Sequence, residues 1–405
     1  MVINRTPPRR SRRGPSCLLV ILVLLLGAAG FVLVQNADTV RDTLILPPTP
    51  EPTRSAASYA ASAALLEDDG DFTEAVDAYE EAIELNPEQV QFYIPLISLL
   101  IAEGRPRDAL EWAQQAVSLA PTNDQVLAAL AAAHLASGLR LAETGEPTNA
   151  DLAYAEAVQA ARTAIETNPN NALGHAYLAG ALSQLGPEQY ARAQEAAEIA
   201  LTIAPDEPIV RMQMATVLEL QGYYPAAIEQ YQLALEDNPD LAELHIGLAY
   251  NYYATRDIPT AILTFQNAVD ADPDSAAAYD GLGWMYFLIG EYPTAEENLT
   301  KAVELDGEMV RAHAHLGAAL YRNLNYDLAI PELERAVAEY QEVTLANSTY
   351  FNMLGLAYYF KGAANCGQAV PLFQNVLATM PDDANALEGM ELCRAAGAQG
   401  APPPP

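Results

Sequence analysis

The chain has 405 residues, of which 51% are hydrophobic and 8% aromatic, a composition that supports a large buried core and argues against general disorder. Its 20 Lys and Arg against 53 Asp and Glu leave a formal net charge of −33, which argues against a body that wraps nucleic acid or lies on anionic lipid. Three cysteines, at 17, 366 and 393, are too few for a disulfide scaffold and match no zinc or redox spacing.

Residues 1–16 form a basic arm with five arginines and no acid. The apolar run 17–34 follows, long enough as a helix to span ~27 Å against a hydrocarbon core of ~30 Å. Arg9, Arg10, Arg12 and Arg13 should hold the N-terminus in the cytoplasm. We therefore read 17–35 as an uncleaved transmembrane signal anchor, with the body outside the cytoplasm. A cleavable signal peptide is the competing reading, with Ala28-Ala29-Gly30 as its small-residue site, and it leaves the body on the same side. Residues 36–55 are proline-rich and suit an extended spacer, and 398–405 suit a disordered tail.

Between these ends the chain repeats itself. Prolines stand at 87, 121, 169, 205, 239 and 273, mostly 34 residues apart, and the frame continues through Gly307 to Pro381. Ahead of them come alanine pairs seven residues apart, such as Ala75 and Ala82 or Ala261 and Ala268, placing small side chains on one helical face. Glycines at 70, 104, 138, 186, 222, 290 and 362 fall near mid-unit, where one helix should end and the chain reverse. The unit is helix, tight turn, helix, proline-marked turn. One copy reads Tyr279, Leu282, Gly283, Tyr286, Gly290, Ala295, Ala302; the one before reads His245, Leu248, Ala249, Tyr252, Ala261, Phe265, Ala268, Pro273.

This pattern resembles the tetratricopeptide repeat. The resemblance implies an all-α, right-handed α-solenoid of about nine units over 56–381, closed by a capping helix at 382–397. The third unit is 14 residues too long, with the excess around 139–152; shared equally between its helices, it should make a protruding long hairpin.

No catalytic constellation, metal set or cofactor motif emerges, and the chain reads as a non-enzyme. His175, His245 and His313 fall at the aromatic core position of first helices, and His313 and His315 point to different faces. Lys301 and Lys361 are the only lysines, and no phosphate-binding loop is present. In the repeat family the first helices line a concave groove. Groove positions in the early units are small, for example Ala57, Ala60, Ala64, Ala128, Ala132, Ala176 and Gly180. Later units place Ile246, Tyr250, Tyr253, Asp280, Trp284, Phe287, Tyr321, Arg322 and Tyr359 there. An aromatic surface of this kind marks an interaction site.

The expected function is a membrane-anchored, bacterial-style scaffold that captures a protein or peptide partner in its groove. The second reading is a carbohydrate-handling component of cell-envelope polysaccharide assembly, whose rings stack on sugar faces. Laid onto the repeat frame, Cys366 and Cys393 fall beside each other at the end of the array and are expected to form a disulfide, which requires an oxidising compartment.

Overall fold

The computed structural model describes residues 54–400, apart from 69 and 341. The expected basic arm, the apolar span, the linker as far as 53 and the last five residues lie outside the described residues. Among the described residues the α-helices form nine antiparallel pairs and one further helix. Units one to three are α1 (Ala56–Asp68) with α2 (Phe72–Leu85), α3 (Tyr93–Ala102) with α4 (Pro106–Leu119), and α5 (Asp124–Glu143) with α6 (Pro147–Thr167). Units four to six are α7 (Ala172–Gln184) with α8 (Tyr190–Ile203), α9 (Pro208–Leu220) with α10 (Tyr224–Asp237), and α11 (Ala242–Ala254) with α12 (Ile258–Ala271). Units seven to nine are α13 (Ala276–Ile289) with α14 (Tyr292–Leu305), α15 (Val310–Arg322) with α16 (Tyr326–Glu339), and α17 (Ser348–Lys361) with α18 (Cys366–Thr379). The last helix is α19 (Ala384–Gly400), so the chain stays helical through 398–400, where a disordered tail was expected to begin. Ala395, Ala396, Ala398 and Gln399 are good helix formers.

The alanine pairs explain how close the helices come. All eight pairs from Ala75 and Ala82 to Ala329 and Ala336 are at most 2% exposed. Larger side chains of second helices then pack on small residues of the next first helix. A Cβ added at Gly281 would sit 2.1 Å from Cε1 of Phe265, a ring with no exposure.

Both kinds of turn have local chemical causes. The internal turns of units one to eight each hold one residue at positive φ, and Gly70, Gly104, Gly145, Gly186, Gly222 and Gly290 supply it in six of them at φ between 72° and 109°. Arg256 and Leu324 take the same role at φ 67° and 62°. Gly138, expected at a turn, instead lies inside α5, where an added Cβ would meet Tyr154 at 2.5 Å; Gly145 is the turn glycine of that unit. Turns between units are pinned from within the next helix. The Tyr93 hydroxyl donates to Pro87 O at 2.9 Å, and Nε2 of His175, His245 and His313 meets Pro169 O, Pro239 O and Gly307 O at 3.1, 2.8 and 3.1 Å. Each ring reaches six residues back, so one repeat position closes four turns.

Helices α5 and α6 have 20 and 21 residues against 13 and 14 for α11 and α12. Among the described residues α5 alone is long and apolar enough to cross a membrane, but half of its apolar stretch is buried and it pairs along its length with α6. It is a core helix of the array. The hairpin does not protrude freely as expected: its tip meets unit eight, because Arg140 and Glu143 on the extra turns find polar partners there.

At the far end, Sγ of Cys366 and Sγ of Cys393 are bonded, linking the start of α18 to α19. Asn352 on α17 donates to Asp383 at 2.9 Å, and the same Asp383 oxygen accepts from Ala386 N at 2.8 Å, so the last helix is both tied and capped.

Two measurements check this packing. Gly281→Ala drives a methyl into Phe265 and should cost about 1–3 kcal/mol of urea stability, whereas Gly290→Ala, with open space around it, should cost only the left-handed backbone, about 1–2 kcal/mol. Unreduced peptide mapping should recover Cys366 and Cys393 as one linked pair, and reduction should loosen α19 first, by at most ~3 kcal/mol for a loop of this length; two free thiols would contradict the linkage.

Candidate partner-binding interior

Helix α13 reads AAAYDGLGWMYFLI, apolar except for Asp280, and a carboxylate at such a position demands compensation. Asp280 is fully buried. The next first helix, α15, supplies two partners four residues apart, which places them on one face. Arg311 Nε donates to Asp280 Oδ2 and His315 Nδ1 meets Oδ1, both at 2.7 Å. Burial by itself would push this carboxyl up; the His315 and Arg311 charges and their hydrogen bonds outweigh it and hold Asp280 at about 2, below its ordinary 3.8.

Arg311 also reaches across the coil. Its Nη1 lies 3.0 Å from Glu143 Oε1 on the last residue of α5, and beside it Arg140 Nη2 donates to Glu308 O at 2.7 Å. Each of these pairs is 168 residues apart, close to five 34-residue periods, so one turn of the coil meets the next. A cavity of about 620 Å³ lies in this seam, walled by Arg105, Arg107 and Arg140 from units two and three and by Asp306, Glu308 and Arg335 from units seven and eight. Glu143 is 42% exposed, so its bond to Arg311 tethers more than it stabilises.

Rings extend from the Asp280 network. The Trp284 indole stacks on Phe287 at 4.7 Å and 10° and on His315 at 4.1 Å and 14°. His315 faces Tyr350 at 6.2 Å, and Tyr350 stacks on Tyr340 at 6.4 Å. Tyr250 meets Phe265 edge-on at 5.1 Å, and Tyr321 meets Tyr326 at 5.7 Å. Burial pushes the Tyr250 and Tyr340 phenols up to about 12.

Of the nine groove residues named from the sequence, Ile246, Tyr250, Trp284, Phe287, Tyr321 and Tyr359 are half-buried, while Tyr253 and Arg322 are exposed. Arg322 Nη2 donates to the Tyr292 hydroxyl at 2.9 Å. Asp280 is a correction: it was expected to face a partner, but it is enclosed by its own cations. Four of the small early positions are a second correction, while Ala57 and Ala64 are exposed. Ala128, Ala132 and Ala176 are buried between helices, and a Cβ at Gly180 would lie 2.1 Å from Gln213 Oε1, so they form contacts rather than a groove floor. Sequence reasoning missed Arg311, His315, Glu143, Tyr340 and Tyr350. The available signal was the lone acid on an apolar helix, followed one repeat later by Arg and His at i and i+4.

Two family models, both described as tetratricopeptide repeat, match residues 66–133 and residues 178–242, 246–297 and 289–343, together more than half of the chain. The chain belongs to the tetratricopeptide repeat family. Over 143 residues this repeat protein is 29% identical to the "Photosystem I assembly protein Ycf3" of Synechococcus elongatus and to that of a second Synechococcus strain, covering 34% of this chain and 83% of each relative. The solved structure of the APC/C hetero-tetramer Cut9-Hcn1 matches with a TM-score of 0.56 at 15% identity, over 91% of this chain and 82% of that one. The human IFIT1 dimer with m7Gppp-AAAA matches with a TM-score of 0.57 at 18% identity, over 87% of this chain and 92% of that one. At these identities the structures share the fold alone. The repeats and the assembly-protein relative support a protein-interaction scaffold, in a family whose arrays are generally non-enzymatic.

Replacing Arg311 with Leu leaves the buried carboxylate with His315 alone and should cost about 3–5 kcal/mol in urea unfolding. Because the folded Asp280 value lies below the ordinary 3.8, its contribution is complete above that pH and is lost as pH falls through about 2. That contribution is on the order of 2 kcal/mol. Stability measured from pH 5 down to pH 2 should therefore fall less in Arg311→Leu than in the parent, because one of the charges that depress Asp280 is gone; equal falls would contradict the assignment.

Proposed function

We propose that this repeat protein is a membrane-anchored, non-enzymatic scaffold whose body works outside the cytoplasm and captures a protein or peptide partner on the interior face of units six to nine. One observation carries the reading: Tyr250, Trp284, Phe287, Tyr321 and Tyr359 are held by contacts to neighbouring side chains yet are only half-buried, and Tyr253 is exposed beside them. Rings fixed in this way lose little conformational freedom on binding and make strong anchors. The Asp280, Arg311 and His315 network locks α13 to α15 beneath them, so the surface is set before a partner arrives. Arg322 and the one-third of Arg311 that remains exposed supply polar contacts at its edge.

The anchor and the orientation draw their support from the sequence, where the arginine arm precedes the apolar run 17–34 and the acidic body follows. The name of the Synechococcus relatives supports a role in assembly, with the array holding one chain while another joins it. Carbohydrate stacking has less support, because the Trp284 indole already carries two stacked rings.

Peptide and glycan arrays probed with the full-length protein in detergent test the reading. Peptide binding is expected, and the combined Tyr253→Ser, Tyr321→Ser and Tyr359→Ser variant should lose at least tenfold in affinity, about 1.4 kcal/mol, with its helical circular dichroism retained. Undiminished binding by that variant would remove the interior face as the site, and a glycan-only signal would install the carbohydrate reading. Protease added to intact spheroplasts should digest the body; protection would reverse the orientation.

A further inference from the structure

Where successive turns of the coil meet, the contact is ionic. The internal turn of unit two, Glu103 to Arg107, and the hairpin tip with Arg140 and Glu143 face Asp306, Glu308 and Arg311. The internal turns of units seven to nine have the opposite chemistry. Ile289 is 49% exposed, Leu324 70%, Leu328 54% and Phe360 49%. Contacts between units make these one strip rather than scattered residues. Arg322 at the end of α15 bonds Tyr292 of unit seven, Tyr326 stacks on Phe360 at 5.4 Å, and Lys361 pairs with Asp327 at 2.8 Å. At its crest Leu324 occupies the left-handed region at φ 62°, where unit seven uses Gly290. A bulky apolar side chain is thus displayed to solvent from a backbone conformation that leucine rarely adopts.

Charge sets this rim apart as well. Residues 54–405 carry 50 acids and 14 bases, a net of −36, whereas 287–293, 321–328 and 359–367 carry Glu291 and Asp327 against Arg322 and Lys361, a net of zero. A second copy stacking as the coil stacks on itself would bring charged turns onto an apolar edge, which is a poor match. Leucine, isoleucine, tyrosine and phenylalanine flanked by Arg and Lys suit the layer between lipid headgroups and chains. With no net charge, this edge of the acidic body can approach a bilayer closely without strong repulsion.

We propose that the internal-turn rim of units seven to nine seats Ile289, Leu324, Leu328 and Phe360 in the interfacial layer of a lipid bilayer. The proposal rests on the membrane-anchored reading. Residues 36–55 would span about 60 Å if fully extended as a polyproline-type spacer, a tether short enough to keep the array beside its membrane.

The test uses the full chain with Cys17→Ser, its native pair of cysteines left oxidised, and one added thiol carrying an environment-sensitive dye. One version has Leu324→Cys in the rim and the other Asp274→Cys in the turn between units six and seven. Both go into phosphatidylcholine vesicles containing nitroxide-labelled lipid. At least threefold stronger quenching is expected at 324 than at 274, and adding Ile289→Ser, Leu328→Ser and Phe360→Ser should abolish the difference with circular dichroism unchanged. Equal quenching at both positions in chains that float with the vesicles would overturn the rim alone. Chains that fail to float would overturn the anchor and the rim together. A dye at 324 that blue-shifts with protein concentration without lipid quenching would assign the rim to a second copy and overturn the proposal.

Discussion

A carboxylate with no solvent exposure, Asp280, can exist in the folded chain only because Arg311 and His315 stand on the adjacent helix at a spacing that delivers both to it. Taking such a charge out of water costs several kcal/mol unless it is paired and bonded, so the relative placement of α13 and α15 has very little freedom. Other features of the C-terminal half follow from that placement. His315 is held where Trp284 can stack on it, Trp284 in turn orients Phe287, and the second face of the Arg311 guanidinium is left to meet Glu143 across the coil.

Elsewhere the same architecture is achieved with almost no charge. Alanine pairs set the distance between helices, a ring six residues beyond the turn closes it in four units, and a left-handed residue reverses the chain within units one to eight. Each device is local, so the units can vary in what they display. That freedom lets units seven to nine combine a partly exposed aromatic interior with an apolar outer edge, while units two and three present charged turns suited to contact with the coil itself.

What was legible in the sequence divides along this line between local and distant. The 34-residue period, the Ala75 and Ala82 type of pair and the reversal at Gly290 are properties of single units, and these define the fold. The aromatic positions at Tyr250, Trp284 and Tyr321 were legible for the same reason. Whether a ring or a charge at such a position faces solvent depends on the neighbouring unit, which periodicity does not describe. Asp280 therefore read as a groove residue until Arg311 and His315 were seen enclosing it. The meeting of Glu143 with Arg311 was less legible still, since it depends on how far the coil has risen after about five repeats. The extra length of the hairpin could be counted, but not its destination.

The clasp between Glu143 and Arg311 has a mechanical consequence. A stack in which each repeat touches only its neighbours behaves as a spring, and under load it can peel from either end one repeat at a time. Joining residues 168 apart turns the middle of that spring into a closed loop. Tension applied at the ends can still strip the outer repeats, but the enclosed ones cannot lengthen until the clasp opens, and once it does several are released together. The hairpin's added turns thereby convert a graded extension into a threshold.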